Sequence, residues 1–198
     1  ARQRRARNWN PQRHHALSRA HSDHYISALE QKERCRSDID VFRLRQNGNS
    51  MLDDVYNAKI LGFAGNIQRI GRLDAPDATA KAHSKLCGST VVVDLRMEGD
   101  TVVDFAHEVK ACALGQASSS IMAAHVVGAK SGELRRVREQ MYAMLKEEGT
   151  PPNGRFDDLK YLEPVRGYKA RHASTLLTFD AVVDAIDQIE KARAGAAA

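Results

Sequence analysis

Cysteine is scarce in this 198-residue chain, which contains three. An odd number, placed at positions 35, 87 and 112, does not build a disulfide framework and fits a reducing compartment. Long apolar runs are missing as well. No stretch reaches the roughly 18 residues that a membrane helix requires, so the sequence predicts no membrane span. Internal repeats are absent, which excludes solenoid and array architectures. Acidic residues are sparse at the front. Residues 1–50 hold 11 Lys/Arg against 5 Asp/Glu, leaving 19 of the 30 cations and 20 of the 25 anions for residues 51–198. The overall charge of +5 therefore belongs to the first quarter of the chain, and the remainder does not read as a general nucleic-acid binder.

What is present is enough for one ordinary domain: 42% of residues are hydrophobic. The first fifty residues contain no methionine and begin ARQRRARNWNPQRHH. We expect residues 1–50 to be a basic extension, disordered or targeting in character, and residues 51–198 to be the working domain. Cys35, between Arg34 and Arg36, reads as an incidental surface thiol.

From Met51 onward the patterns are regular. Leu52, Val55, Tyr56, Ile60 and Phe63 share one helical face over residues 51–64. Residues 65–86 read as a long loop. Residues 89–111 alternate as a hairpin turning at Gly99-Asp100. Facing side chains must lie on one side of an antiparallel pair, so the expected pairs are Met97 with Val103, Leu95 with Phe105 and Val93 with His107. His107 falls on the buried face and reads as a satisfied core histidine. A lone hairpin is marginal, so a short third strand and packing helices are expected. Helical patterns follow over residues 114–128, from Ser131 to a stop at Gly149-Thr150-Pro151-Pro152, and over residues 173–193, with a second loop through Glu163-Pro164-Val165.

The hairpin register has a chemical consequence. Extended past its ends, it sets Cys112 opposite Gly88 and beside Cys87, on the order of 5–8 Å apart along the backbone. Thiolate is the form that binds metal, and Cys112 precedes a helix, whose unpaired N–H groups favour negative charge. His172 opens the last helix, where neutral, coordinating imidazole is favoured. Two thiols and one imidazole leave a tetrahedral position open and suit zinc, Cu(I) or iron–sulfur clusters. The alternative on spacing alone is that both cysteines are small buried apolar residues. His83, four residues before Cys87, is a candidate fourth ligand; a water, a small thiol or a second subunit are others. Lys110 and Arg171 flank the expected site. Ser118, Ser119 and Ser120 read as small packing residues with no base placed to activate them.

Cys87-Gly88, the Val-rich hairpin, Cys112 followed by the three serines, and His172 at the last helix resemble the NifU/IscU family of iron–sulfur cluster assembly scaffolds. Leu52-Asp53-Asp54-Val55-Tyr56 is similar to the opening of the NifU-like N-terminal domain. The resemblance covers about residues 51–190. It implies an α+β fold, a small antiparallel sheet packed with helices. It also implies Cys87, Cys112 and His172 as ligands of a transient [2Fe–2S] cluster, built with sulfur from a cysteine desulfurase and passed to apo-proteins. Such a protein binds and transfers rather than turns over, in a bacterial cytoplasm or mitochondrial matrix, and a homodimer is compatible with it. Three positions depart from the family pattern. Ala173 stands where a third cysteine is usual and Ser89 where aspartate is frequent, and Pro164-Val165-Arg166 only echoes a chaperone-read segment. The alternatives are a zinc-binding sulfur-transfer accessory protein, or a structural subunit without cluster chemistry.

Overall fold

A computed structural model describes residues 57–196. The expectations for residues 1–50, for Cys35 and for residues 51–56 of the first helix lie outside that range. A short helix, α1 (Ala58–Ala64), starts at the Asn57 N-cap, whose side chain accepts from the Ile60 amide at 3.1 Å, so among the described residues the helix expected over 51–64 begins only at Ala58. It buries Ile60 and half-buries Phe63.

A three-stranded antiparallel sheet, in the order β1-β2-β3, forms the base of the fold. Its strands are β1 (Ala78–His83), β2 (Thr90–Glu98) and β3 (Thr101–Lys110). The third strand thus comes from the segment read as loop. Its inward residues, Ala78 and Ala80, are too small to give a strong hydrophobic alternation, and pairing with β2 decides the matter. The β2–β3 turn has Gly99 at φ +59, the Gly-first geometry that a tight hairpin connection requires.

The expected pairs Leu95 with Phe105 and Val93 with His107 form, whereas Met97 faces Val102 rather than Val103. A bulge at Arg96/Met97 absorbs Val103, so Val102 takes the fully buried place beyond it. His107 is fully buried, with Nε2 against the Gln68 carbonyl at 3.0 Å, but its Nδ1 has no partner among the described residues. It is therefore a half-satisfied core histidine, and burial lowers its pKa against the pull of the Gln68 carbonyl.

Four helical stretches complete the fold after the sheet. Helix α2 (Ala113–His125) buries Ser118, Ser119 and Ser120 among apolar neighbours, as small packing residues do. Helix α3 (Ser131–Lys146) follows, with Lys130 rather than Ser131 at the N-cap position. The segment read as a second loop is a 3₁₀ stretch, Gly154–Gly167, kinked at Phe156, that sinks Phe156, Leu159, Leu162 and Val165 into the core. Its short apolar spacing fits a three-residue turn, which 3.6-residue patterning does not detect.

The last helix, α4 (Lys169–Ala196), starts four residues earlier than expected and packs on β1, β2, α2 and α3. At its far end Arg193 donates to the carbonyls of Met97 and Gly99, both at 2.6 Å. A helix of 28 residues spans about 42 Å, enough to run from the hairpin turn past the opposite end of the sheet. Its first turn therefore lies at the end where Cys87 and Cys112 leave the strands. Asp94 fastens the sheet's other face. It accepts from Arg72 Nε at 2.6 Å and Nη2 at 2.9 Å, from Thr79 Oγ1 at 2.6 Å and from the Leu73 amide at 3.0 Å.

Candidate functional site

Thr90 pairs with His83 on one side and with Lys110 on the other, so both candidate cysteines leave the sheet at the same end. Cys87 lies in the β1–β2 turn, exposed beside Leu86, which is 77% exposed. Two backbone bonds close the turn, from the Ser84 amide to the Ser89 carbonyl and from the Gly88 amide to the Ser84 carbonyl, both at 2.9 Å. Gly88 has φ +70, a conformation that suits glycine.

Ser84 and Ser89 are buried, and their hydroxyls stand 3.3 and 3.0 Å from the Cys87 sulfur. The thiol can donate to either; the thiolate can accept from both. That asymmetry lowers the Cys87 pKa to about 7. The Ser84 hydroxyl contributes most, then the Ser89 hydroxyl, against a small burial effect, with the Ser89 amide and the Arg171 charge adding to the shift.

Cys112 caps α2, as its position before a helix predicts, but its side chain makes no capping bond. It is half-buried against the core, with Sγ 3.4 Å from Ser174 Oγ. Ser174 donates its own hydroxyl proton to the Arg171 carbonyl at 3.0 Å, so the Cys112 thiol is the donor to Ser174. This approach depends on Gly115. A Cβ there would meet the Ala111 Cβ at 2.7 Å and the Ser174 carbonyl oxygen at 2.9 Å, so α2 and α4 cross where only hydrogen fits.

His172 is 7% exposed in the first turn of α4. The carbonyls of Val165 and Arg166 face its Nε2 at 3.1 and 3.0 Å. Both are acceptors, so Nε2 carries a hydrogen, which leaves Nδ1 as the ring atom that could coordinate a metal. Carbonyl support of the distal nitrogen is the usual second contact of a metal-binding histidine. His83 is exposed at the end of β1, with Nδ1 3.1 Å from Thr90 Oγ1. It lines an open groove of about 710 Å³ together with His172 and Ala173.

The first turn of α4 thus meets Cys112 through Ser174, two residues after His172, and reaches Cys87 only through the Arg171 charge, the smallest of the effects on that thiol. The register expectation is met only as far as Thr90 and Lys110. Beyond that pair Cys87 turns outward, and Cys112 turns down toward α4. Among the described residues no group of three His, Cys, Asp or Glu side chains is set to hold a metal ion. Each candidate sulfur rests on a serine, and an incoming ion would have to draw the sulfurs off those hydroxyls. The donor set itself, one acidified thiol, a second thiol and an oriented imidazole, suits a soft metal.

Ser84 and Ser174 were not legible as site residues. Ser84 stands three positions before Cys87 and Ser174 two after His172, and neither spacing has a signature without the folded turn. Among the described residues, no helix is long and apolar enough to cross a membrane.

Comparison with known proteins gives concordant results. Residues 55–153 match the NifU-like N terminal domain. The crystal structure of a nitrogen-fixing NifU-like protein (N-terminal) from Brucella abortus is 68% identical, covers 72% of this chain and 99% of its own, and superposes with a TM-score of 0.71. A putative iron-sulfur cluster assembly scaffold protein for the SUF system from Fervidobacterium islandicum shares the fold at 20% identity, with a TM-score of 0.62, over 67% of this chain and 97% of its own. The iron-sulfur cluster assembly scaffold protein IscU of Thermotoga maritima is 23% identical over 137 residues, 69% of this chain and 96% of the relative. Cys87 and Cys112 lie within the matched domain, and His172 lies beyond it.

Proposed function

Because this chain belongs to the NifU-like N-terminal domain family, we propose that it is an iron–sulfur cluster assembly scaffold, with Cys87, Cys112 and His172 as the residues that hold the cargo. The cargo is a [2Fe–2S] cluster, built with sulfur from a cysteine desulfurase and passed to apo-proteins. The protein binds and hands over; it performs no turnover chemistry of its own. Residues 51–198 form the working domain.

One observation carries this reading: Cys112 contacts Ser174 in the first turn of α4, two residues after His172, at the end of the sheet where Cys87 also leaves. Cys87 is the entry point. It is exposed and ionises near neutral pH, so a thiolate is available to iron or to a sulfur donor without a dedicated base. Cys112 and His172 are better buried and take up the cargo from the inner side. Three protein donors leave coordination incomplete, and incomplete coordination favours release over storage.

The exposure of Cys87 also favours a second reading, in which zinc occupies the site and Cys87 accepts sulfur from the desulfurase. One experiment separates the two. The full chain, purified without oxygen, receives iron, cysteine and a desulfurase, and then an apo-ferredoxin. Visible sulfur-to-iron absorption that moves to the ferredoxin supports the scaffold. Stoichiometric zinc with no colour supports the second reading and refutes the first.

A further inference from the structure

Two charges on the wall of the groove stand against the field of their own helices. Glu148 lies just past the C-terminus of α3, and Lys169 is the first residue of α4. A helix carries partial negative charge at its C-terminus and partial positive charge at its N-terminus, so each side chain has the unfavourable sign for its place. Glu148 also has φ +57, the left-handed conformation that glycine takes at a helix end without steric cost. Neither side chain forms an ion pair or hydrogen bond with another described residue. Local rules broken twice at one cavity, with no partner inside the protein, mark a place kept for something else.

The walls around these two charges are already formed. At about 710 Å³ the groove falls within the roughly 300–1,000 Å³ range of small-molecule sites. Leu176 and Leu177 of α4 and the half-buried Tyr142 of α3 give it an apolar side. Arg166 pins the corner that carries Glu148, donating to the Met144 carbonyl at 2.8 Å and to the Gly149 carbonyl at 3.0 Å. Lys146 stacks over the Tyr142 ring at 4.4 Å and has no carboxylate partner among the described residues. The remaining polar groups are engaged. Asp180 accepts from Arg138 and from the Tyr142 hydroxyl, His172 meets two carbonyls, and His83 meets Thr90. What the groove offers a ligand is therefore two ammonium groups, one carboxylate and an apolar surface.

We propose that the groove binds a short apolar peptide with free termini. Its carboxylate sits against Lys169 and Lys146, its ammonium against Glu148, and its side chains on Leu176 and Leu177. A carboxylate at the start of α4 and an ammonium at the end of α3 have the signs that those helix ends favour, so the ligand compensates both misplaced charges. A simple anion leaves Glu148 unsatisfied, and a simple cation is repelled by both lysines; a ligand of both signs meets all three. Glu148 and Lys169 are too far apart for a direct ion pair, so the ligand has to span them, as the two ends of a dipeptide do. Binding is non-covalent and uses neither cysteine.

The test uses the full chain and three probes: leucyl-leucine, its N-acetyl derivative and its C-terminal amide. Binding is read from the backbone amide signals of the α3 end and the α4 start in an NMR titration. In the wild type, blocking either terminus should weaken binding roughly threefold, the value of one partly exposed charge contact. Glu148→Gln should bind leucyl-leucine and the N-acetyl form equally while still discriminating against the amide. Lys146→Gln/Lys169→Gln should show the opposite pattern. The discrimination that survives in each variant shows that its fold is intact. Glu148→Gly should lose the same discrimination as Glu148→Gln and melt at a higher temperature, because the left-handed strain and the misplaced charge are both removed. No saturable binding of leucyl-leucine to the wild type, or equal binding of the three probes, overturns the proposal. So does a loss of discrimination that does not follow the terminus assigned to the substituted residue. A lower melting temperature for Glu148→Gly also overturns it, since the carboxylate would then be a stabilising group of the free protein and not one held for a ligand.

Discussion

The Cys112 sulfur stands 3.4 Å from the Ser174 hydroxyl, across 62 residues of chain. That contact brings the first turn of the last helix to the end of the hairpin, and Gly115 makes it fit. A methyl group at Gly115 would overlap both Ala111 and the Ser174 carbonyl. Gly115→Ala should destabilise the protein by about 1–3 kcal/mol, the cost of overpacking a tight helix crossing. Urea unfolding measures it. The same variant should lose cluster faster to a chelator, because Cys112 and α4 are pushed apart. A Gly115→Ala protein with unchanged stability and retention would show that the crossing does not set the site.

The acidity of Cys87 has a named origin in Ser84 and Ser89. In the metal-free protein, the rate of iodoacetamide reaction at Cys87 should rise with pH through an inflection near 7. Ser84→Ala should move the inflection upward, and Ser84→Ala/Ser89→Ala further, toward the ordinary thiol range. Mass spectrometry of the alkylated peptide assigns the rate to Cys87. An inflection unmoved in the double variant would remove the serines from the account.

Asp94 governs acid stability. Burial acts to raise its pKa, but the bonds from Arg72, Thr79 and the Leu73 amide outweigh that and hold it below the usual carboxylate value. Since the folded form binds its proton less readily than the unfolded chain, this contribution is present above about pH 4 and is lost as pH falls below it. His107, with its pKa lowered by burial, works in the same direction from about pH 6.5 downward, because the unfolded chain takes up a proton that the core refuses. Asp94→Asn should cost about 2 kcal/mol at neutral pH, since the amide cannot replace a carboxylate that accepts four hydrogen bonds. The variant should also show a shallower loss of stability below pH 4, followed by circular dichroism. An unchanged acid limb would contradict the assignment to Asp94.

How much of this was legible in the sequence depends on what each element uses as its signal. The hairpin was readable because Val91, Val93, Leu95 and Met97 are large and alternate, and all four are buried. Strand β1 was not, because alanines carry little pattern and the strand exists through its pairing with β2. The bulge at Arg96/Met97 was invisible, since Val102 and Val103 are identical in type and tertiary packing alone decides which turns inward. Cys87, Cys112 and His172 could be named from residue type and element ends. Their present partners, Ser84, Ser89, Ser174 and the Val165 and Arg166 carbonyls, could not, because each arises from a turn or crossing without a local signature.

The two histidines near the sheet make a matched comparison. His172 has its Nε2 against two carbonyls, which leaves Nδ1 for the proposed coordination, while His107 is sealed in the core against Phe105, with ring centroids 4.9 Å apart. After reconstitution and a chelator challenge, His172→Ala should lose cluster absorption several times faster than His107→Ala. Unfolding should show the reverse ranking of damage, with His107→Ala the less stable protein, since it opens a cavity in the core. Faster cluster loss from His107→Ala in folded protein would refute the assignment of His172.

The central claim, that Cys87, Cys112 and His172 hold an iron–sulfur cargo, is tested most directly by counting it. Iron and acid-labile sulfide per chain are determined after anaerobic reconstitution and desalting, for the wild type, Cys87→Ser, Cys112→Ser and the control Cys35→Ser. We expect iron and sulfide in equal amounts in the wild type and Cys35→Ser, and loss of most of both in each of the other two variants. Equal iron and sulfide in all four proteins would contradict the account.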